Sequence, residues 1–414
     1  MINVGIDLHK TQFTTCVRGG TGNTFGKYPT TEEGYQAFFK KTSVWQASGE
    51  TVQVGVESTG NTRYFKSRME GEGIGVTVIN TLKFKVVNES VKKTDKHDAA
   101  TIAEFLEKDI LPEAHLCSRK SEQMRRLLKV RTKLVGTVTV IKNQIHALLN
   151  SEGLEDVSAS SLQSKRGRQR VLNALSQWEN GLVVQPLVEM IERLEENVNI
   201  MEKQLRVLAD GDRMVELLMG IPGCGEVCAW TIMAYTDDIK RFASAKKYAA
   251  FAGLVPWVQN SNETTRYGKI TKRGPRELRT AMVQIVMGLR RLKKKTAAWR
   301  IMERYEAMKR SKGHPGIKIV AAARKIATII WQMLTDDVAF NVEKMIDPKL
   351  NKKATCMSEA SVLAKIVQEE SRLEDHELEE AELEARVVTI VKPLVGKIKA
   401  TKTGVAGKDK RKVS

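Results

Sequence analysis

Short apolar runs alternate with helical segments over residues 1–112, and no other feature of the sequence constrains the fold as strongly. The runs "INVGID", "VQVGVE" and "IGVTVIN" have the length of strands, and "FTTCVRG" follows the first run as a hairpin partner. The segments "TTEEGYQAFFKK" and "TRYFKSRMEGEG" have helical patterns. Strands that alternate with helices indicate a central, partly parallel sheet. The sequence therefore predicts an α/β domain at residues 1–112.

Four carboxylates stand at places where this domain can bring them together. Asp7 and Glu57 each end an apolar run, where burial normally excludes charge. The stretch "KKTDKHDAATIAEFL" puts Asp95 and Asp98 in the first turn of a helix, where acidic residues also suit the helix dipole. Each acid taken alone has such an ordinary structural explanation. If the helix packs across the sheet edge, however, all four acids meet.

Four clustered carboxylates repel one another and take up protons unless a cation lies among them. Ligands that are all oxygen select a hard ion, so Mg2+ or Mn2+ is the expected cofactor. Two such ions about 4 Å apart serve in-line phosphoryl chemistry in many enzymes. The sequence therefore predicts a metal-dependent catalytic site. His97, between the two aspartates, can contact a phosphate or cap the helix, and both roles stay open.

The charge of the chain points to a polyanionic partner. Its 414 residues are 42% hydrophobic, enough for folded cores, yet the formal net charge is +19. Such an excess favours nucleic acid as the partner. The five scattered cysteines suit a reducing cytoplasm. The sequence contains no long apolar run and no apparent signal peptide, so no membrane partner is expected.

Residues 113–212 change character and predict long helices. A single helix with a dense basic face is expected at residues 119–152. A second helix carries apolar residues in steps of 3 and 4, namely Leu187, Ile191, Leu194, Val198, Met201, Leu205 and Leu208. This heptad-like seam favours a coiled-coil or helical hairpin arm. An ordinary packed helix is the alternative.

Residues 213–345 predict a second, mainly helical unit, and residues 346–414 predict an acidic helix followed by a basic tail. In "GIPGCG", a turn at Gly223 and Gly225 between two helices would direct backbone N–H groups outward. Such a turn resembles a helix-hairpin-helix phosphate cradle. A tight turn without a ligand is the alternative.

A helix, a polar loop and a basic helix are expected after this turn. The basic residues that would contact phosphates are Arg266, Lys269, Lys272, Arg273, Arg276 and Arg279. Trp257, Tyr267 and Arg266 would add stacking on unpaired bases. A solvated basic loop is the ordinary alternative.

The elements "GIDLHK", "VEST-G", "INTLKFK" and "KTDKHDA" resemble the catalytic domain of DEDD-type insertion-sequence transposases, whose fold is RuvC-like and RNase H-like. The resemblance is to insertion-sequence family one-ten, which includes the Piv-type invertases and the bridge recombinases. "IPGCG", "FAGLVP" and "KRGPRELR" resemble its C-terminal transposase domain. The resemblance spans about residues 2–340 and leaves the C-terminal extension unmatched.

The resemblance implies a mechanism that the residues alone do not give. Ser261 matches the serine nucleophile of the family, which forms a phosphoserine link to DNA. The local sequence "NSNETT" is poorer in Ser and Gly than is common in the family, so Thr264 and Thr265 are the fallback hydroxyls.

The resemblance also implies partners. They are donor and target DNA, a structured bridge RNA that guides the enzyme, and further copies of the chain, from dimer to tetramer. The implied location is the prokaryotic cytoplasm at the nucleoid. Two other functions remain open: a metal-dependent nuclease or junction resolvase that uses water, and a nucleic-acid-binding protein without catalysis.

Overall fold

A computed structural model describes residues 1–19, 22–81, 83–84, 94–151, 153, 162–176, 181–261, 264–292 and 315–341. The described residues form two compact units. The first comprises residues 1–216 and 226–241, and the second comprises residues 217–225 and those from Phe242 onward. The expected acidic helix and basic tail at residues 346–414 lie outside the described residues.

A mixed five-stranded sheet forms the start of the first unit. Its strands are β1 (Ile2–Leu8), β2 (Gln12–Gly19), β3 (Gly22–Pro29), β4 (Val52–Glu57) and β5 (Gly75–Ile79). The order is β3-β2-β1-β4-β5. The β1–β2 and β2–β3 pairs are antiparallel, and the β1–β4 and β4–β5 pairs are parallel. The sequence therefore predicted four of the strands and the mixed sheet correctly. Strand β3 was missed because its side chains are largely exposed and lack an apolar alternation.

Helices cover both faces of this sheet. Helices α1 (Glu32–Ala47) and α2 (Thr62–Gly71) bury their aromatic residues against one face, around Phe13 of β2. Helix α3 (Asp95–Glu107) packs on β1 and β2 from the opposite face, through Ala99 and Ala103. These small residues let helix and sheet approach closely.

Two glycines of the sheet leave the space that this approach needs. A Cβ on Gly5 would overlap the carbonyl oxygen of Ala99 and the backbone nitrogen of Ala103. A Cβ on Gly55 would lie 2.8 Å from Cγ2 of Ile102. Helix α3 therefore lies against the backbone of β1, and any larger residue at position 5 would push it away.

Five helices follow in the chain. They are α4 (Arg119–Ser151), α5 (Lys165–Leu175), α6 (Gly181–Ala209), α7 (Arg213–Met219) and α8 (Glu226–Thr236), with α7 running on into the second unit. Two of them, α4 and α6, are long. Helix α4 packs along α6, and their shared core includes Ile145, Leu149 and Ile191. The guanidinium of the buried Arg168 on α5 pairs with both carboxylate oxygens of Glu195. The two long helices thus cover each other within the chain, and a coiled-coil arm between subunits stays a prediction.

The start of α4 is fixed by a carboxylate from far along the chain. Asp237, whose backbone φ is 61°, accepts hydrogen bonds from the backbone nitrogen and the Oγ of Ser118. Nε2 of His115 lies 2.8 Å from its Oδ2. Burial alone would raise the pKa of Asp237, but the hydrogen bonds from Ser118, Ser121 and His115 hold it well below its usual range.

We expect Asp237→Asn to lower the free energy of unfolding by about 3 kcal/mol, because charged hydrogen bonds contribute about 1.5–3 kcal/mol each. The folded pKa lies below the ordinary value of 3.8. The stabilisation is therefore complete above about pH 5 and declines as the pH falls toward the folded pKa. Urea unfolding of wild type and Asp237→Asn at pH 7 and at about pH 3 measures the difference in their free energies of unfolding, which should be smaller at the lower pH.

The neighbouring Asp238 provides the matched control for this substitution. It is exposed, and its Oδ1 accepts a hydrogen bond from the backbone nitrogen of Lys240. Asp238→Asn removes the same charge and should change stability by less than about 1 kcal/mol. If the difference in free energy of unfolding between wild type and Asp237→Asn stays constant over this pH range, Asp237 does not have the lowered pKa assigned to it.

The second unit is mainly helical and contains a β-hairpin. Its elements are α9 (Ala245–Phe251), β6 (Pro256–Ser261), β7 (Thr264–Ile270), α10 (Arg276–Arg291) and α11 (Pro315–Asp336). Helix α11 packs on α9 and α10, and Nε1 of Trp331 donates to the carbonyl oxygen of Phe242. The polar loop expected between the helices is instead the antiparallel pair β6–β7. Its Val, Thr and Tyr residues favour a strand even without an apolar face.

The described residues contain neither a membrane-spanning helix nor a disulfide. No helix in the described ranges combines the length and the apolar character needed to span a bilayer. The described cysteines, Cys16, Cys117, Cys224 and Cys228, are free thiols. Neither finding assigns a compartment.

Candidate active site

Asp7 stands at the carboxyl edge of the sheet, on the face that α3 covers. Successive side chains of a strand alternate between faces, so Asp7 shares its face with Gly5, which touches α3. The Asp7 side chain is 16% exposed. It is thus a largely buried carboxylate that opens toward the first turn of the helix.

The first turn of α3 supplies the next two carboxylates. Thr94 caps this helix, since its Oγ1 accepts a hydrogen bond from the backbone nitrogen of His97 at 3.2 Å. Asp95 and Asp98 follow the cap and are the acidic residues of the first turn. The close packing of α3 on Gly5 carries this turn to the strand end at Asp7. The sequence predicted that Asp7 and the start of this helix come together. The close packing of α3 against β1 at Gly5 brings them together in the structure.

His9 joins this group, and sequence reasoning missed it. Its Nε2 lies 3.1 Å from Oδ2 of Asp7 and 3.6 Å from Oδ1 of Asp95. The donor atoms of these three residues all lie within 4.8 Å of one another, the one such group of metal-capable side chains in the described ranges. His9 lies in the turn after β1, which ends at Leu8, so the alternation of the strand does not fix its position.

Burial and the neighbouring carboxylates both act on the pKa of Asp7. Burial raises it above its usual range, the His9 imidazole lowers it, and the charges of Asp95 and Asp98 raise it further. Asp98 therefore lies close enough to act on Asp7 electrostatically. A carboxylate in this position is costly to ionise unless a cation lies beside it.

Glu57 ends β4 on the same edge. Ile6 pairs with Val56 in the parallel β1–β4 ladder, so Asp7 and Glu57 are the next residue on each strand. Gly55, two residues earlier, faces α3, so Glu57 shares the face of Asp7. The metal-capable group contains Asp7, His9 and Asp95. Glu57 lies on the neighbouring strand, next to Asp7 in the ladder.

A chain of hydrogen bonds joins the ends of β4 and β1. Thr62 Oγ1 donates to the carbonyl oxygen of Glu57 at 2.8 Å. Thr59 Oγ1 donates to Oδ1 of Asn61 at 2.9 Å. The Asn61 amide in turn donates to the carbonyl oxygen of His9 at 3.0 Å. The segment after Glu57 therefore holds the turn that carries His9.

The donor set fits a divalent cation. Asp7 and Asp95 direct carboxylate oxygens at one small volume, and Asp98 adds negative charge there. Oxygen ligands suit Mg2+ and Mn2+, and one imidazole is compatible with Mn2+. Burial, and then the charges of Asp95 and Asp98, raise the pKa of Asp7, and a cation beside these carboxylates would oppose that rise.

Ser261 and the predicted basic residues belong to the second unit. Ser261 is the last residue of β6 and pairs with Thr264, the first residue of β7. The predicted phosphate contacts at Arg266, Lys269, Lys272, Arg273 and Arg276 are exposed. Arg279 is half-buried, and its guanidinium donates to the carbonyl oxygen of Ala252. Their role in binding and that of Ser261 in catalysis stay predictions.

The glycines of "GIPGCG" have a structural role that is visible in the fold. Gly223 has a φ of 86°, and a Cβ there would lie 2.9 Å from the carbonyl oxygen of Ile285 on α10. A Cβ on Gly225 would meet no described atom within 4 Å. The close packing explains glycine at position 223, while phosphate binding by this turn stays a prediction.

Comparisons with known proteins agree with this architecture. A model of DEDD transposases of the IS110 type matches residues 4–152, and a model of the transposase IS116/IS110/IS902 family matches residues 215–300. A probable family 20 transposase of Pseudomonas aeruginosa is 25% identical over 300 residues, which cover 69% of this chain and 85% of the relative. The transposase for insertion sequence element IS1111A of Coxiella burnetii is 28% identical over 344 residues, covering 80% and 89%. The transposase for insertion sequence element IS1328 of Yersinia enterocolitica is 25% identical over 353 residues, covering 82% and 98%.

Proposed function

The chain belongs to the IS110 family of insertion-sequence transposases, and from this premise we propose that it cuts and rejoins DNA through a phosphoserine intermediate at Ser261. Asp7, Glu57, Asp95 and Asp98 are the proposed ligands of Mg2+ or Mn2+. The N-terminal domain is assigned a RuvC-like, RNase H-like fold in this proposal. Its order of strands, with two antiparallel and two parallel pairs and a helix across the acidic edge, supports that assignment.

One observation carries the proposal. Carboxylates from two distant segments, Asp7 on β1 and Asp95 on α3, meet around His9, and the charge of Asp98 acts on Asp7. Such a gathering raises the free energy of the fold unless the site has a cationic ligand. In a transposase, the reaction that needs a carboxylate-held cation is the breaking of a DNA phosphodiester.

The protein's own residues would act as follows. The Oγ of Ser261 attacks the scissile phosphorus, so an Oγ–P bond forms while one bond from phosphorus to a deoxyribose oxygen breaks. The serine loses its proton and the departing sugar oxygen gains one, and the reverse reaction with another sugar hydroxyl rejoins the strand. A divalent ion, when bound, polarises the phosphate and stabilises the leaving oxygen. Because one phosphodiester replaces another, rejoining needs no external energy source.

The nucleic-acid partners follow from the charge and from the family. A net charge of +19 supports extensive phosphate contacts, which suit donor and target DNA together with a guide RNA. We assign sequence recognition to base pairing with this bridge RNA, so that the protein reads backbone and shape. The proposed location is the nucleoid.

The proposed assembly is a dimer or tetramer, with one active site completed by domains of different subunits. Exposed apolar residues along α6, including Met190, Ile200 and Val207, support contacts between subunits. The proposed domains remain 1–112 (catalytic), 113–212 (arm), 213–345 (transposase) and 346–414 (extension).

A covalent-trapping assay tests the proposed function. The protein is purified with the RNA it carries, mixed with Mg2+ and labelled DNA that spans an end of the element, and then denatured. We expect a protein-linked DNA band from wild type and none from Ser261→Ala, because alanine has no nucleophile. Thr264→Ala, at the strand position paired with Ser261, is the matched control and should keep the band.

The alternatives give different products in the same assay. Cleaved DNA without attached protein, unchanged by Ser261→Ala, would establish a hydrolytic nuclease that uses water. Binding without cleavage at any Mg2+ or Mn2+ concentration would establish a non-catalytic nucleic-acid-binding protein. A band lost in Thr264→Ala and kept in Ser261→Ala would move the nucleophile to the fallback hydroxyl.

A further inference from the structure

The β6–β7 hairpin exposes a large aromatic side chain. Trp257 of β6 is 53% exposed, and the neighbouring Val258 is 46% exposed. A tryptophan in a packed unit normally buries most of its surface. An indole left open to this extent is therefore a candidate contact for a partner.

The hairpin supports the indole from one side. The ladder slips between the pairs Pro256–Ile270 and Val258–Tyr267, so that two residues of β7, Gly268 and Lys269, stand opposite Trp257. A Cβ on Gly268 would lie 3.0 Å from Cε3 of the indole. Glycine at position 268 thus provides room for the indole beside it. The hairpin supports the Cε3 edge of the indole, and about half of the residue stays open to solvent.

Exposed cationic residues lie on the strand paired with Trp257 and just beyond its end. Arg266 and Lys269 on β7 are exposed, as are Lys272 and Arg273 just beyond its end. Within the described residues, none of these four side chains has an ion pair. An open aromatic face beside unpaired cations matches a base and its phosphates, since every base has a π-face and each nucleotide carries one negative charge.

We propose that this hairpin holds an unpaired nucleotide of the DNA strand that is being cut, with its base stacked on Trp257 and its phosphates held by Arg266 and Lys269. Bases within a duplex have both faces covered by their neighbours, so the contact needs a strand that is locally unpaired. Cutting and exchanging strands creates such a segment.

Trp257 and the residues beside it on the hairpin, here called the platform, lie on the strand that ends at the proposed nucleophile. Trp257 precedes Ser261 by four residues on the same strand, a separation of about 13 Å. The stacked base therefore lies within a few nucleotides of the attacked phosphate. The choice of DNA as the strand rests on the proposed function, whereas the stacking itself does not.

Equilibrium binding tests the platform without requiring cleavage. The full-length protein, freed of RNA, is titrated against a fluorescein-labelled 15-nucleotide oligo-dT in fluorescence anisotropy. We expect Trp257→Ala to weaken binding about tenfold, in the range measured for loss of one stacked base. Trp257→Phe keeps a π-face and should stay within about threefold of wild type. Tyr64→Ala, at an aromatic residue of the first unit that is 56% exposed, is the control and should bind as wild type does.

Further measurements separate this inference from its rivals. A blunt duplex of mixed sequence should bind Trp257→Ala within about threefold of wild type. The proposal would be overturned if Trp257→Ala weakened binding to duplex and to oligo-dT equally, or weakened binding to oligo-rU alone. It would also be overturned if Trp257→Ala changed the oligomeric state and left oligo-dT binding unaltered. Binding of oligo-dT requires no cleavage. If Ser261 is not the nucleophile, the effect of Trp257→Ala on oligo-dT binding is therefore unchanged. If Trp257 does not stack on a base, the covalent protein–DNA band is unchanged.

Discussion

Asp7→Asn should lower the rate of DNA strand cleavage at least about 100-fold, because an amide gives up the charge that binds the divalent ion. Asp7 is central to the group, since it contacts His9, and the charges of Asp95 and Asp98 both act on it. The measurement is single-turnover cleavage of labelled element-end DNA at several Mg2+ concentrations. Asp109→Asn is the control, because Asp109 is exposed and its φ of 53° is one that asparagine tolerates.

A second measurement distinguishes a lost ligand from a damaged fold. Burial and the nearby carboxylates disfavour the charge of Asp7, so its removal should leave the metal-free melting temperature unchanged or raised. Added Mg2+ should raise the melting temperature of wild type, since the ion binds the folded state alone. The protein with Asp7→Asn should lack this rise. If it melts higher with Mg2+ and still cleaves DNA, Asp7 does not belong to the metal site.

Sequence reasoning located the carboxylates because burial and periodicity act on neighbours in the chain. An acid after an apolar run and an acid in a first helical turn are both visible locally, and a sheet brings strand ends together by rule. His9 was missed because its part depends on the turn that follows β1. That turn is held by Asn61, and no local pattern predicts a bond across that separation in the chain.

The missed elements share a different physical cause. Strand β3 and the β6–β7 hairpin expose most of their described side chains, so neither has the apolar alternation from which strands are recognised. Their pairing is decided by backbone hydrogen bonds with a neighbouring strand. The seam of α6 was visible for the opposite reason, because Ile191 and Leu205 are buried at heptad spacing.

Gly5→Ala should destabilise the first unit by more than about 3 kcal/mol, the upper end of the cost of overpacking. The new Cβ would meet the backbone of α3 at Ala99 and Ala103, and backbone atoms cannot move aside as the end of a side chain can. Thermal and urea unfolding, followed by circular dichroism, give the measurement. Alanine in place of glycine is otherwise a mild substitution in a strand. A large loss of stability would therefore come from the close contact between position 5 and the backbone of α3.

Gly136→Ala on α4 is the matched control with the opposite expected sign. A Cβ there has no neighbour within 4 Å among the atoms described, and alanine favours a helix over glycine by about 1 kcal/mol. If Gly5→Ala keeps wild-type stability and cleavage, α3 does not need its close approach, and the convergence of the acids needs another cause. If α3 is displaced, Asp95 and Asp98 move away from Asp7, so one methyl group should remove both the fold of this edge and the binding of Mg2+ there.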